Sequence, residues 1–229
     1  MSILTRMMGA GEQRATLANP VAEWLRDALT GGYESASGED VNHQTALTLD
    51  SYYACRRNIA EDVAKVPFPV FKRRKGRGKD RQPGHRVHEM LNVGPNDEMS
   101  SQSFRETLTD HAIDWGNGCA EIIRDRKTGA PVEMHILDPS LSTLERTDAG
   151  ELRLYYRRGT ENERSIPYAD VFHIHGLGFD GIRGYSITRM ARQSIGAGLA
   201  EVKSGAALFG NNCRPGGVLQ YPNSMDPKA

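Results

Sequence analysis

Catalytic signatures are the first thing missing from this 229-residue chain. It has no Gly-rich phosphate loop ending in Lys-Ser or Lys-Thr, so an ATP-driven motor built on that loop finds no support. It has no Gly-x-Ser-x-Gly elbow and no His-Glu-x-x-His pair, which removes the usual marks of an α/β-hydrolase and a zinc protease. Its three cysteines, Cys55, Cys119 and Cys213, are odd in number and far apart. They fit neither a disulfide framework nor a zinc spacing and point to a reducing compartment. No apolar run approaches the roughly 20 residues that cross a bilayer. Met1 to Pro20 carries Arg6 and Arg14 without an apolar stretch, so no secretory signal or membrane association is expected. A charge excess is also missing: Lys plus Arg and Asp plus Glu stand at 29 each. A sequence-independent DNA-coating protein needs a basic surplus, because phosphate neutralisation drives its affinity. That class is excluded.

What remains is ordinary globular material, 38% hydrophobic and 25% charged, long enough for one large domain or two small ones. Residues 1–48 read as a flexible N-terminal arm. Val21, Trp24, Leu25 and Leu29 have helical spacing, but Gly31-Gly32 ends that stretch and Ser, Gly, Asn and acidic residues follow. Asp50 is a good N-cap for a helix. On it Tyr52, Cys55, Ile59, Val63 and Val66 form the apolar stripe, with Arg56, Arg57, Glu61, Asp62 and Lys65 on the other side. Pro67 stops this helix, and Phe68 to Arg73 reads as a strand. A short helix is expected around Val87 to Leu91, and a longer one carries Phe104, Leu108, Ala112 and Trp115 on one face. Gly116-Asn117-Gly118 breaks it. The period then shifts to alternation, with hairpins at Lys127-Thr128-Gly129 and Asp148-Ala149-Gly150 and a strand at Val171 to His175. The last element is a helix from about Ser186 to Phe209, striped by Ile187, Ala191, Ile195, Leu199, Val202, Ala206 and Phe209. Gly196, Gly198 and Gly205 inside it each cost about 1 kcal/mol of helix propensity. Close packing against other helices offsets that loss. The fold class is α+β.

Few constellations carry chemistry. His173 and His175 point to one side of a strand, and with His135 or Asp170 as a third ligand they would make a small metal-dependent hydrolase. The bland reading is a pair of ordinary strand residues. His85 and His88 sit three apart with nothing to complete a site. Asp110, His111 and Asp114 read as the solvated face of their helix. Lys72 to Arg81 holds seven basic residues against Asp80 alone. It reads either as a DNA- or partner-binding module or as a solvated hairpin tip.

Words in fixed order say more. They begin with Ser51-Tyr52-Tyr53-Ala54-Cys55-Arg56-Arg57-Asn58-Ile59-Ala60-Glu61 and Val66-Pro67-Phe68-Pro69-Val70-Phe71. His88-Glu89-Met90-Leu91-Asn92 with Pro95-Asn96 comes next, then Trp115-Gly116-Asn117-Gly118. Leu137-Asp138-Pro139, Asp170-Val171-Phe172-His173-Ile174 and Gly210-Asn211-Asn212-Cys213-Arg214-Pro215-Gly216-Gly217-Val218-Leu219 complete the set. In this order they resemble the HK97-type portal proteins of tailed bacteriophages, over about residues 45 to 221.

The resemblance implies a structural ring, typically of twelve subunits, at one capsid vertex, with no enzymatic activity and no cofactor. It implies residues 49–180 as a wing-like domain, 181–213 as a stem-like helix and 214–229 as the start of a clip. Implied partners are further copies of the chain, the large terminase subunit, a head-completion or adaptor protein, the major capsid protein and double-stranded DNA passing through. The location would be the virion, after assembly in the host bacterial cytoplasm. Neutral charge suits a passage that must not grip DNA. Gly196, Ala197, Ala200 and Ser204 would pack between neighbouring copies. Arg189, Arg192 and Lys203, with Lys72, Arg73 and Arg74 of the basic loop, are candidates for the channel or for DNA contact. Typical members continue beyond the Gly-Gly-Val-Leu strand, so the chain resembles the N-terminal part of a portal.

Overall fold

The computed structural model describes residues 34–157, 163–178, 180–214 and Gly217. The expected helical stretch at Val21 to Leu29 and nearly all of the clip-like segment lie outside the described residues.

Residues 34–48 correct the expected boundary of the arm, because they pack on the rest of the chain. Glu34 bridges Asp40. Asn42 caps α1 (His43–Ala46) through a capping box completed by Thr45. Val41 and Ala46 are buried together with Ile195. Two small apolar anchors in a Ser- and Gly-rich stretch leave no periodicity to read.

Leu49 is the N-cap of α2 (Asp50–Lys65), one residue before the expected Asp50. The face it buries is a larger correction. Arg56, Ala60 and Ala64 are inside, while Cys55, Ile59, Val63 and Val66 of the expected stripe are exposed. Alanines at i and i+4 let two helices approach closely, and this near contact with α4 (Ser101–Asp114) decides the face. Beyond Pro67, β1 (Phe71–Arg73) pairs antiparallel with β2 (Lys79–Arg81), so the strand is shorter than expected and the basic loop is a hairpin tip. Then come α3 (Arg86–Asn92) and α4, which is capped by Ser100. Phe104, Leu108 and Ala112 are buried on α4 as their spacing predicts.

Two antiparallel three-stranded sheets follow. In the first, β3 (Asn117–Arg124) lies between β4 (Pro131–Ile136) and β8 (Val171–His175), with Ile122 opposite Met134 and Cys119 opposite His173. In the second, β5 (Ser142–Arg146), β6 (Leu152–Arg157) and β7 (Glu163–Pro167) place Leu144, Leu154 and Ile166 abreast. Both expected hairpins are present, and Gly129 and Gly150 supply the positive φ their turns need. β7 carries no apolar alternation strong enough to read. Helices joined to antiparallel sheets make the fold α+β.

Of three buried clusters among the described residues, the two larger lie on opposite faces of β3. Cys119 packs with Leu137, Leu144, Leu154, Ile166 and Val171. Ala120, on the opposite face, packs with Met90, Phe104, Leu108 and Met134. After β8 come α5 (Ile187–Met190) and α6 (Arg192–Gly210), not one continuous helix. Ala191, at φ −92° and ψ 11°, interrupts it. Of the expected stripe, Ile195 is buried and Ala191 and Leu199 pack beside it. Val202 and Phe209 are open to solvent, Phe209 by 71%.

Candidate functional site

Among the described residues the most heavily bonded side chain is Asp114, at the last turn of α4 and only 2% exposed. The Thr188 hydroxyl of α5 donates to Oδ1. The Tyr52 hydroxyl of α2 lies 2.6 Å from Thr188 Oγ1 and 3.2 Å from Asp114 Oδ1. His43 Nδ1 and Arg56 Nη1 each approach Oδ2 to 3.0 Å. Arg56 also holds Asp110 in a two-pronged grip, Nε at 2.8 Å and Nη2 at 2.6 Å. Burial pushes the Asp114 carboxyl up, but His43, Thr188 and the Arg56 charge outweigh it and hold the group below the ordinary carboxylate range. Ser186, the N-cap of α5, donates to the Asp114 carbonyl at 2.6 Å. His43 stacks on Trp115 with ring centroids 3.5 Å apart. These contacts correct two expectations: Arg56 does not face solvent, and Asp110 and Asp114 are structural partners within the chain. Only a long-range contact makes an arginine inside a helix interface legible, and no local pattern announces it.

Trp115-Gly116-Asn117-Gly118 completes the junction. Trp115 is the C-cap of α4, and Gly116 follows at φ +86°, the left-handed position that ends many helices. Its Cα faces the Gly184 carbonyl with no room for a Cβ, and Gly118 sits equally close to the Leu108 carbonyl. Asn117 Oδ1 accepts from His173 Nε2 at 3.0 Å and from the Gly184 N–H at 3.2 Å.

That contact bears on the histidine pair. The rings of His173 and His175 are 5.8 Å apart on one side of β8. With Nε2–H donated to Asn117, His173 Nδ1 accepts from the Tyr168 hydroxyl at 3.1 Å, a neutral tautomer with both nitrogens in use. Burial, assisted by His175, pulls the His173 pKa down to about 4. His175 Nδ1 lies 2.9 Å from the Gly176 carbonyl. The two candidate third ligands are engaged elsewhere, His135 with Glu133 at 3.0 Å and Asp170 with Arg124 at 2.6 Å. Among the described residues no cluster of three His, Cys, Asp or Glu is placed to hold a metal. His85 caps α3 by accepting from Val87 N, and His88 contacts Asn92.

Lys72, Arg73 and Arg74 lie on the exposed hairpin, and Arg74 Nε reaches both oxygens of Asp80 at 2.8 and 2.9 Å. On α6, Ala197 and Ser204 are exposed and Ala200 is half-buried. Gly196 is buried against Ser35 and Ser37 of its own chain, and the half-buried Gly198 faces Leu49. The small size of Gly196 therefore serves a contact within the chain, where the sequence reading put a neighbouring copy. Lys203 Nζ lies 2.8 Å from Glu39. Arg189 is exposed and Arg192 half-buried. Sequence reasoning missed an apolar groove of about 790 Å³ between α2, α4, β8 and α5, lined by Phe68, Ile113, Phe172, Leu177, Tyr185 and Met190 among others.

The site thus consists of scaffold contacts and apolar surface. The phage portal protein family matches residues 51–229. The chain belongs to that family. The portal protein of Enterobacteria phage HK97 is 25% identical over 181 residues, covering 78% of this chain and 42% of the relative. The probable portal protein of Streptomyces phage phiC31 is 28% identical over 207 residues, covering 85% of this chain and 44% of the relative. The chain therefore spans less than half the length of these portal relatives. Among solved structures, a chain in the neck of an empty gene transfer agent particle superposes with a TM-score of 0.60 at 20% identity, covering 89% of this chain and 57% of the other. The fold is thus shared at low identity. The words Tyr52 to Ala60 and Trp115 to Gly118 fall on the Asp114 junction.

Proposed function

We propose that the chain works as a portal subunit, one member of a ring set at one vertex of a tailed-phage capsid. The observation that carries this reading is the family match running unbroken through the α+β body and α6. In it, residues 49–180 form the wing-like domain and 181–213 the stem-like helix, and double-stranded DNA passes the ring non-specifically in packaging and ejection. The large terminase subunit drives DNA inward, a head-completion or adaptor protein follows, and the major capsid protein surrounds the ring. Assembly takes place in the bacterial cytoplasm and the product stays in the virion. The subunit is structural and hydrolyses nothing.

Three features support the reading. Basic and acidic residues balance at 29 each, so phosphates are not held tightly enough to brake a moving duplex. Val202, Leu208 and Phe209 of α6 are exposed, which is expected of a face that meets further protein. A similar fold occurs in gene transfer agent necks computed with C6 and with C12 symmetry, and rotational assembly needs two unlike faces on one subunit. In the ring, Ala197, Ala200 and Ser204 let neighbouring stem helices approach, while Arg189 and Arg192 are the channel candidates. Light scattering behind a sizing column, with negative-stain images of the same peak, tests the proposal. A closed ring is expected. A monomer at every concentration and salt tried overturns it.

A further inference from the structure

We propose that residues 34–49 form a strap that sets the angle of α6 against the α+β body, with Ala191 as the pivot. This goes beyond the portal reading and does not depend on ring formation.

The two sides of the pivot are held by different means. On the near side, α5 is fixed to the end of α4. Ser186 bonds the Asp114 carbonyl, Thr188 bonds the Asp114 carboxylate, and Gly184 packs on Gly116. On the far side, α6 starts after a residue outside helical geometry and has no side-chain N-cap bond. Backbone bonds from Ala191 N–H to the Ile187 carbonyl at 2.8 Å and from Ile195 N–H to the Ala191 carbonyl at 2.9 Å keep the two helices joined, and the bend between them lies at this one residue.

The direction of α6 comes from residues 34–49, which touch it along three turns. The Ala36 N–H donates to Gln193 Oε1 at 2.8 Å. Ser35 and Ser37 sit on Gly196, and Leu49 on Gly198. Val41 and Ala46 share a buried cluster with Ile195. Glu39 pairs with Lys203. The same segment is anchored to the body through His43, which stacks on Trp115 and reaches Asp114, and it then runs into α2. Two of the three glycines that weaken α6, Gly196 and Gly198, lie where the segment crosses, so the helix gives up propensity to seat it.

The native cysteines allow a direct test. Cys55 on α2 and Cys213 beyond the end of α6 are exposed, whereas Cys119 is buried with its thiol pushed up to about 12. Nitroxide labels on Cys55 and Cys213, spin-diluted with unlabelled chain, report the helix angle by pulsed dipolar spectroscopy. The unaltered chain is expected to give one narrow distance distribution. In Gly196→Ala the new Cβ displaces Ser35, yet alanine is the better helix former, so α6 keeps its helix while the strap lifts. In Val41→Asp the buried anchor is lost. Both variants are expected to at least double the width of the distribution with far-UV dichroism unchanged. The proposal is overturned if folded variants keep the narrow distribution, or if the unaltered chain is already broad. Loss of the whole fold in both variants also overturns it, since residues 34–49 would then be core and not a strap.

Discussion

The Thr188 hydroxyl donates a hydrogen bond to the Asp114 carboxylate across 74 positions of sequence, and this bond joins the first turn of α5 to the last turn of α4. Every other group around that carboxylate comes from a different helix: His43 from α1, Tyr52 and Arg56 from α2. Removing the carboxylate leaves Arg56 charged, buried and short of one partner. Breaking one side of a buried pair costs about 3 kcal/mol or more. Asp114→Ala is expected to lower stability by that amount in urea unfolding. Thr188→Val, which removes the hydroxyl's bonds to Asp114 and Tyr52 and keeps the shape, is expected to cost less, about 2 kcal/mol at about 1 kcal/mol per bond. Equal effects of the two substitutions would argue that Asp114 is not the hub.

Acid sensitivity should come in two windows. His173 has a folded pKa of about 4 against an ordinary 6.5, so the unfolded chain binds the proton more readily between those values. The stability it contributes is complete above 6.5 and is lost as pH falls toward 4. Asp114, held below the ordinary carboxylate range, contributes stability above about 4 that is lost only on further acidification. His173→Gln is expected to flatten the upper window and leave the lower one. Thermal melts at half-unit pH steps read both.

Gly116 and Gly118 should tolerate no side chain. Gly116 combines a φ of +86° with the Gly184 carbonyl against its Cα, and at Gly118 the obstacle is the Leu108 carbonyl. Backbone, not a flexible side chain, must move in both cases. Each alanine variant is expected to lose about 2 kcal/mol or more, while Gly205→Ala, with open space around it, is expected to gain up to about 1 kcal/mol. Denaturant midpoints of the three variants provide the comparison.

Assembly should respond to surface changes that leave the subunit intact. Phe209 is 71% exposed on α6, so Phe209→Ser removes apolar contact only in a complex. It is expected to reduce ring formation in light scattering with an unchanged unfolding midpoint. Replacing Lys72, Arg73 and Arg74 by Ser is expected to leave ring formation unaffected, because the hairpin tip is solvated and Arg74 is paired with Asp80 inside it.

The sequence made much of the fold legible and little of the junction. Helices with strong spacing such as Phe104-Leu108-Ala112, and hairpins with Gly at the turn, depend on near neighbours and could be read. The face of α2 could not. Its larger apolar residues Ile59 and Val63 are outside and Ala60 and Ala64 inside, because close approach to α4 outweighs side-chain size. Asp114 was hidden for a related reason: its partners lie 58 to 74 positions away on three helices. The ordered residues 34–48 escaped notice because Val41 and Ala46 find their complement only at Ile195.

The alternation along β3 has a last consequence. Cys119 completes one core and the very next residue, Ala120, completes the other, so a single strand is the party wall of both. Neither half can melt and leave the wall standing, since loosening either face frees the same backbone. Calorimetry of the full chain should therefore show one cooperative transition for this body, although its two sheets look like separable modules.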